Sequence, residues 1–421
     1  MLDILFGLVG LAALIAIALA FSENRRAVDW RLVATGVGLQ LVFASFVLLT
    51  PFGAAIFGAL SEGFVALLGF TQKGSSFIFG PLASQDALGF IIAFQVLPTI
   101  IFFASLMAVL YHLGIMQAIV KGMAWVITKV MNVSGAETLS VAANAFVGQT
   151  EAPLVVKPYI ATMTRSELLA LMIGGMATIA GGVLGAYVQM LGGPDPEAQR
   201  YFAKHLIAAS IMAAPATLVI AKILVPETGE PLTRGQVKAN IERTTANVID
   251  AAAAGASDGL RLALNVGAML LAFIALIALL DAPIAWLGEL TGMNEMLGRE
   301  LGLSTLLGLV MAPIAWIIGV PWEDAVSVGG LIGTKVVLNE FVAYAELSQI
   351  KDTLSAKSQL IATYALCGFA NFSSIAIQIG GIGGIAPERR HELAKFGLKA
   401  VLGGSLATFM TATIAGVLGT I

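Results

Sequence analysis

Apolar residues run along this chain in blocks of helical length, parted by short polar breaks. A helix needs about 20 apolar residues to cross about 30 Å of hydrocarbon. Eight blocks meet that need: 4–21, 32–50, 89–112, 168–190, 203–225, 262–282, 358–381 and 396–420. Two more apolar stretches, 134–163 and 321–347, are interrupted near their middles by polar residues. Each is too broken for one span and too short for two. Helical hairpins that enter the membrane and turn back fit better, because non-helical backbone is tolerated at depth where it is buried or lines a cavity. Residues 52–85 and 114–131 read as helices at or near the interface, and 303–320 is similar but more apolar. The longest polar stretch, 226–261, carries Pro226, Glu227, Gly229, Glu230 and Pro231, then Arg234, Lys238, Glu242 and Arg243. It reads as a cytoplasmic linker with an amphipathic surface helix.

The pattern occurs twice. Ala124-Trp125-Val126-Ile127 resembles Ala315-Trp316-Ile317-Ile318, and a broken apolar stretch follows each. Gly174-Gly175-Met176-Ala177-Thr178-Ile179 follows the first, and Gly368-Phe369-Ala370-Asn371-Phe372-Ser373 the second. The predicted organisation is therefore 1–131 mainly scaffold spans and interfacial helices, 132–225 a first repeat, 226–261 the linker, 262–302 a scaffold span and outer loop, and 303–421 a second repeat. The fold class is an all-α polytopic membrane protein. It has eight transmembrane helices plus two opposed re-entrant helical hairpins in an inverted repeat, with interfacial helices.

Composition agrees. Of 421 residues 58% are hydrophobic and 12% charged, against about 25% charged in soluble domains. Cys367 is the sole cysteine, which excludes an internal disulfide and a cysteine-based metal site. His112, His205 and His391 lie far apart and form no ligand-spaced cluster. No basic run suggests nucleic acid. An intramembrane enzyme has little support, since no serine–histidine or paired-aspartate motif stands at span depth. Asp3 occupies the place of a basic leader region, so 4–21 reads as a retained span. Placing the N-terminus outside puts 16 of the 23 Lys and Arg residues in the cytoplasm. Both termini are then expected outside, and the two hairpins open to opposite sides.

Each hairpin carries a carboxylate, Glu151 and Glu340, in matching positions. Charge at membrane depth is costly and marks a substrate or ion path. Gln149, Thr150 and Glu151 offer an amide, a hydroxyl and two acceptor oxygens, and Glu340 with Asn371 offers a similar set from the other half. A carboxylate suits a vicinal diol such as that of ribose, and an amide beside a carboxylate suits a nucleobase edge. Phe369 can face a ring or simply pack. The alternative for the glutamates is burial as ion pairs with Lys157 or Lys335. Asn144 and Thr178 could give Na⁺ side-chain oxygens beside unwound carbonyls, or Thr178 could bond back to its own helix.

These motifs make the chain resemble the concentrative nucleoside transporter family, of the shorter bacterial type. The marks are Gly148-Gln149-Thr150-Glu151-Ala152-Pro153-Leu154, Asn339-Glu340-Phe341-Val342-Ala343-Tyr344 and Cys367-Gly368-Phe369-Ala370-Asn371-Phe372. The resemblance implies a homotrimer in a bacterial inner membrane that imports nucleosides such as uridine, cytidine or adenosine by an elevator-like movement. It implies no cofactor beyond Na⁺ as coupling ion. It also implies that Gln149, Thr150 and Glu151 contact the base with Val183 packing on it. Glu340, Asn371 and Ser374 would hold the ribose, with Phe369 stacking nearby. Asn144, Val147, Thr178 and Ile179 would form the Na⁺ site. Proton-coupled symport, and a non-transporting nucleoside sensor or gate, are the alternative readings.

Overall fold

The computed structural model describes residues 2–84, 89–235, 245–298 and 300–419. The helices are α1 Leu2–Ala20, α2 Trp30–Leu49, α3 Pro51–Phe79, α4 Leu97–His112, α5 Ile115–Met131, α6 Gly135–Asn144, α7 Arg165–Ala177 and α8 Gly181–Gly192. They continue with α9 Pro196–Leu224, α10 Val248–Thr291, α11 Leu303–Ile317, α12 Trp322–Val337, α13 Glu340–Ile350, α14 Ala356–Ala365, α15 Phe372–Ile385 and α16 Arg390–Leu418. The described residues hold only one isolated β-bridge, Ser134 to Arg234.

Both interrupted stretches are hairpins. In the first, α6 runs to Asn144, the chain turns over 145–151, and the return limb is two single turns, Ala152–Val155 and Lys157–Ile160. Pro153 and Pro158 open those turns and cannot donate a backbone hydrogen bond. In the second, α12 and α13 are parted by Leu338 and Asn339. The chain enters each hairpin through a residue with left-handed backbone, Asn132 (φ 54°) after α5 and Gly319 (φ 106°) after α11. The α11–α12 bend is 116°.

The order hairpin, broken span, long helix occurs twice: α6, α7/α8, α9 and then α12/α13, α14/α15, α16. The two copies interlock, with α9 packed on α16, α7 on α16, and α9 on α14. Among the described residues eight helices are long and apolar enough to span a membrane. The set differs from the expected one in two members. Residues 358–381 are a broken span and not one continuous helix, because 366–371 leave helical geometry and part α14 from α15. The region 52–85 instead supplies one unbroken helix, and Pro51–Ala83 passes with a mean hydropathy of 1.7.

A further correction concerns 226–261. Residues 236–244, with Lys238, Glu242 and Arg243, lie outside the described residues. From Val248 onward there is no boundary between surface helix and span: α10 is one helix of 44 residues. Gly255 and Gly259 do not break it. A Cβ at either would come within 2.6–2.8 Å of α4 atoms around Ala104, Ser105 and Ala108. This small-xxx-small spacing seats one helix on the other. Packing also sets α1 and α2 against α9 and α16, whereas α4 pairs with α10.

Candidate functional site

Four non-helical segments converge inside the interlocked repeats: 145–151, 178–180, 338–339 and 366–371. The two broken spans cross in contact. Phe369 N–H donates to the Thr178 carbonyl (3.3 Å), and Gly181 N–H donates to Phe146 O in the first hairpin (2.8 Å). The crossing requires Gly368, since a Cβ there would stand 2.7 Å from Met176 O and 2.9 Å from Thr408 Cγ2.

Glu340 is the first residue of α13, capped by Asn339, whose Oδ1 accepts from Val342 N (2.9 Å). Asn371 caps α15 in the same way, its Oδ1 accepting from Ser374 N (2.9 Å). Two helix N-termini, each with partial positive charge, thus face one carboxylate. Glu340 Oε2 accepts from Asn371 Nδ2 (3.2 Å) and Oε1 from the Tyr187 hydroxyl (2.9 Å). Tyr187 stacks on Tyr344 at 4.5 Å and meets the edge of Phe341 at 4.8 Å. On the far side of the Asn371 turn, Gln149 Nε2 donates to Ser374 Oγ (3.0 Å). Gln149 Oε1 accepts from Gln378 Nε2 (3.1 Å). Asn371 and Ser374 therefore join the two hairpins into one polar set.

Among the expected site residues, Gln149, Val183, Glu340, Asn371 and Ser374 are buried and Phe369 is half-buried. Thr150 and Glu151 stand apart and exposed, with the Glu151 carboxylate folded back over Gly148. Neither glutamate is paired as the alternative supposed. Lys157 is exposed, and the Lys335 ammonium turns to Ala365 O (2.8 Å) and Thr408 Oγ1 (3.1 Å). Tyr187 and Gln378 were not foreseen. Each lies four residues after a foreseen one, Val183 and Ser374, on the same helix face.

Asn144 and Thr178 lie on either side of Gly174. A Cβ on Gly174 would stand 3.3 Å from Asn144 Nδ2, and Thr178 Oγ1 donates to Gly174 O (2.9 Å). Thr178 thus bonds back to its own helix and keeps its oxygen lone pairs. Asn144 Nδ2 is used by Ser140 O (3.1 Å), whereas its Oδ1 is buried with no hydrogen-bond partner. The carbonyls of Val147 and Ile179 accept no backbone hydrogen bond among the described residues. An orphaned amide oxygen and a hydroxyl oxygen beside Gly174, with unbonded carbonyls at Val147 and Ile179 in the adjoining breaks, give oxygen acceptors at the C-terminal ends of α6 and α7. This donor set fits a small hard cation.

Three family models match consecutive parts of the chain: the N-terminus of Na⁺ dependent nucleoside transporters over 9–82, nucleoside recognition (Gate) over 93–194, and the C-terminus of Na⁺ dependent nucleoside transporters over 205–416. The chain belongs to the concentrative, Na⁺-dependent nucleoside transporter family. An uncharacterized transporter of Bacillus subtilis, YutK, is 47% identical over 99% of both chains. Sodium/nucleoside cotransporter 1 of Mus musculus is 40% identical over 97% of this chain and 63% of its own length. The transporter CNTnw in an inward-facing substrate-bound state superposes with a TM-score of 0.88 at 45% identity, covering 99% of this chain and 98% of that one. A doubly substituted CNTnw in an outward-facing state superposes with a TM-score of 0.90 at 44% identity, covering 100% and 98%. The protein is therefore a multi-pass nucleoside transporter of this family and not an enzyme.

Proposed function

We propose that the protein is a symporter that imports nucleosides with Na⁺ across a bacterial inner membrane, as a homotrimer with both termini outside. The observation that carries the reading is the joined polar set of Glu340, Asn371, Ser374 and Gln149 beside the orphaned Asn144 oxygen. Glu340 accepts the two ribose hydroxyls, and Asn371 and Ser374 fix the sugar. Gln149 presents its amide to the base, Val183 and Phe369 cover the ring, and Thr150 and Glu151 close over the base edge. Asn144, Thr178 and the carbonyls of Val147 and Ile179 hold the cation, whose charge offsets their converging negative ends. The site then orders before the nucleoside enters.

The moving part comprises both repeats and, unlike the expectation that 1–131 is mainly scaffold, also α1 and α2, carried past α4 and α10. Glu23, in the α1–α2 loop, bridges to Arg165 of α7 (3.1 Å) and to Lys399 of α16 (2.5 Å), which fastens α1 and α2 to the repeats. The test is uptake of radiolabelled uridine into proteoliposomes under an inward Na⁺ gradient, an inward H⁺ gradient, or none. Accumulation with Na⁺ alone is expected. Accumulation with H⁺ alone would move the coupling to a carboxylate, and binding without accumulation would make the protein a sensor.

A further inference from the structure

Lys335 is fully buried, and no carboxylate lies within ion-pair distance of its ammonium among the described residues. A buried unpaired charge costs several kcal/mol, so its surroundings must offset that cost. They are specific. Lys335 lies in the last turn of α12, and its Nζ donates to Ala365 O, the final carbonyl of α14 (2.8 Å), and to Thr408 Oγ1 (3.1 Å). The Phe409 ring lies 5.8 Å below it. The ammonium thus sits where two helix C-termini converge, among neutral oxygens and an aromatic face.

The first repeat builds the same place without a lysine. There α6 packs on α7 as α12 packs on α14, and both helices end at the cluster, at Asn144 and Ala177. Counted back from the hairpin glutamate, Lys335 is five residues before Glu340, inside the window from Asn144 to Val147 before Glu151. One copy therefore holds an orphaned buried acceptor, and the other holds a covalently attached cation.

We propose that the Lys335 ammonium is a resident cation that fills, in the second repeat, the place the coupling Na⁺ takes in the first, and so limits coupling to one Na⁺ per nucleoside. This rests on the Na⁺ reading of the Asn144–Thr178 cluster. It gives Lys335 a positioning role: it holds the end of α14, and through 366–371 it holds Asn371, without touching the nucleoside.

The test uses full-length wild type, Lys335→Gln and Lys335→Arg, purified and reconstituted. Two quantities are read: the melting temperature as a function of Na⁺ without nucleoside, and the ²²Na⁺-to-uridine flux ratio with the Hill coefficient for Na⁺. The glutamine variant supplies an oxygen and no charge. Its Hill coefficient and flux ratio should rise from about 1 to about 2, and its melting temperature should climb more steeply with Na⁺ than that of wild type. The arginine variant should behave as wild type. A glutamine variant that folds only at high Na⁺ would support the proposal equally. One that keeps single-ion dependence in both readouts, or is unfolded at every Na⁺ concentration, would overturn it. Should wild type ignore Na⁺ while the glutamine variant gains a Na⁺-dependent melting temperature, the second-repeat place stands and the first-repeat reading falls.

Discussion

Glu340 is a carboxylate whose two oxygens are already taken, one by Tyr187 and one by Asn371. A ribose diol entering there must share or replace those donors, so the carboxylate is preorganised and its hydration shell is already gone. Glu340→Gln replaces one acceptor oxygen with a donor. A hydrogen bond to a charged group is worth about 1.5–3 kcal/mol, or roughly 10- to 150-fold in affinity. Uridine binding by calorimetry should weaken by that factor, and binding of a 2′,3′-dideoxy analogue much less; equal losses would remove Glu340 from the ribose. Asn144→Ala deletes the orphaned oxygen. The Na⁺ concentration for half-maximal uptake should rise about 10-fold, as expected for about 1.4 kcal/mol of lost coordination, with uptake at saturating Na⁺ largely kept. An unchanged Na⁺ titration would dismiss that residue as a ligand. Most of this set was legible, because a glutamate, asparagine or glutamine inside an apolar block stands out. Tyr187 did not stand out. A tyrosine in an apolar helix reads as packing, and only the meeting of α8 with α13 turns its hydroxyl onto Glu340.

At the scale of elements, the base of the first hairpin is tied down by a buried polar network. Lys222 of α9 bonds Glu137 Oε2 (2.7 Å), Ser166 Oγ (3.0 Å) and Glu227 Oε2 (3.3 Å). Ser134 caps α6 and also bonds Glu167 and Thr233. Hairpin, broken span, α9 and the following loop are thus fastened at one end, as a unit that moves without deforming requires. Lys222→Met strands a buried carboxylate, which costs about 3–5 kcal/mol, and should lower the melting temperature by several degrees. Adding Glu137→Gln should recover part of the loss, and strict additivity of the two changes would show them to be uncoupled. The sequence displayed both hairpins, because polar residues interrupt apolar runs too short for two spans. The glycines of 174–182 left the break at 178–180 open, since glycines inside a span read more readily as close packing. The break at 366–371 was read as continuous span, since Leu366, Cys367 and Phe369 are apolar. What opens the helix there is the crossing at Gly368 and the Asn371 cap, both tertiary.

Across the whole molecule, burial is uneven. The most apolar windows of the α7–α8, α9 and α16 spans are 83%, 89% and 83% buried, that of α10 only 17%. A helix so bare holds its place against lipid, neighbouring copies and the few helices it touches, α4 above all. It grips α4, with Gly255 and Gly259 against the α4 backbone and Ser105 Oγ donating to Ala252 O (2.8 Å). The α4–α10 pair is thus a strut built by close approach, and α8 runs along it through small residues. A Cβ on Gly182 would lie 3.9 Å from Ala104 N and meet nothing nearer. One turn on, the Phe103 ring of α4 lies against Gly185 of α8, where a Cβ would stand 2.9 Å from it, so a slide along the strut has only this ring to carry out of its seat. If the repeats travel along this strut, cysteines at Phe103 and Gly185 in a Cys367→Ser background are adjacent in one position of the cycle only. Bridging them with Hg²⁺ should abolish uridine uptake, thiol reductant should restore it, and saturating nucleoside with Na⁺ should change the bridging rate. Full uptake by the bridged protein would mean that α8 and α4 stay together throughout. The movement would then have to be sought within the repeats, at the hairpins, rather than between the repeats and the strut.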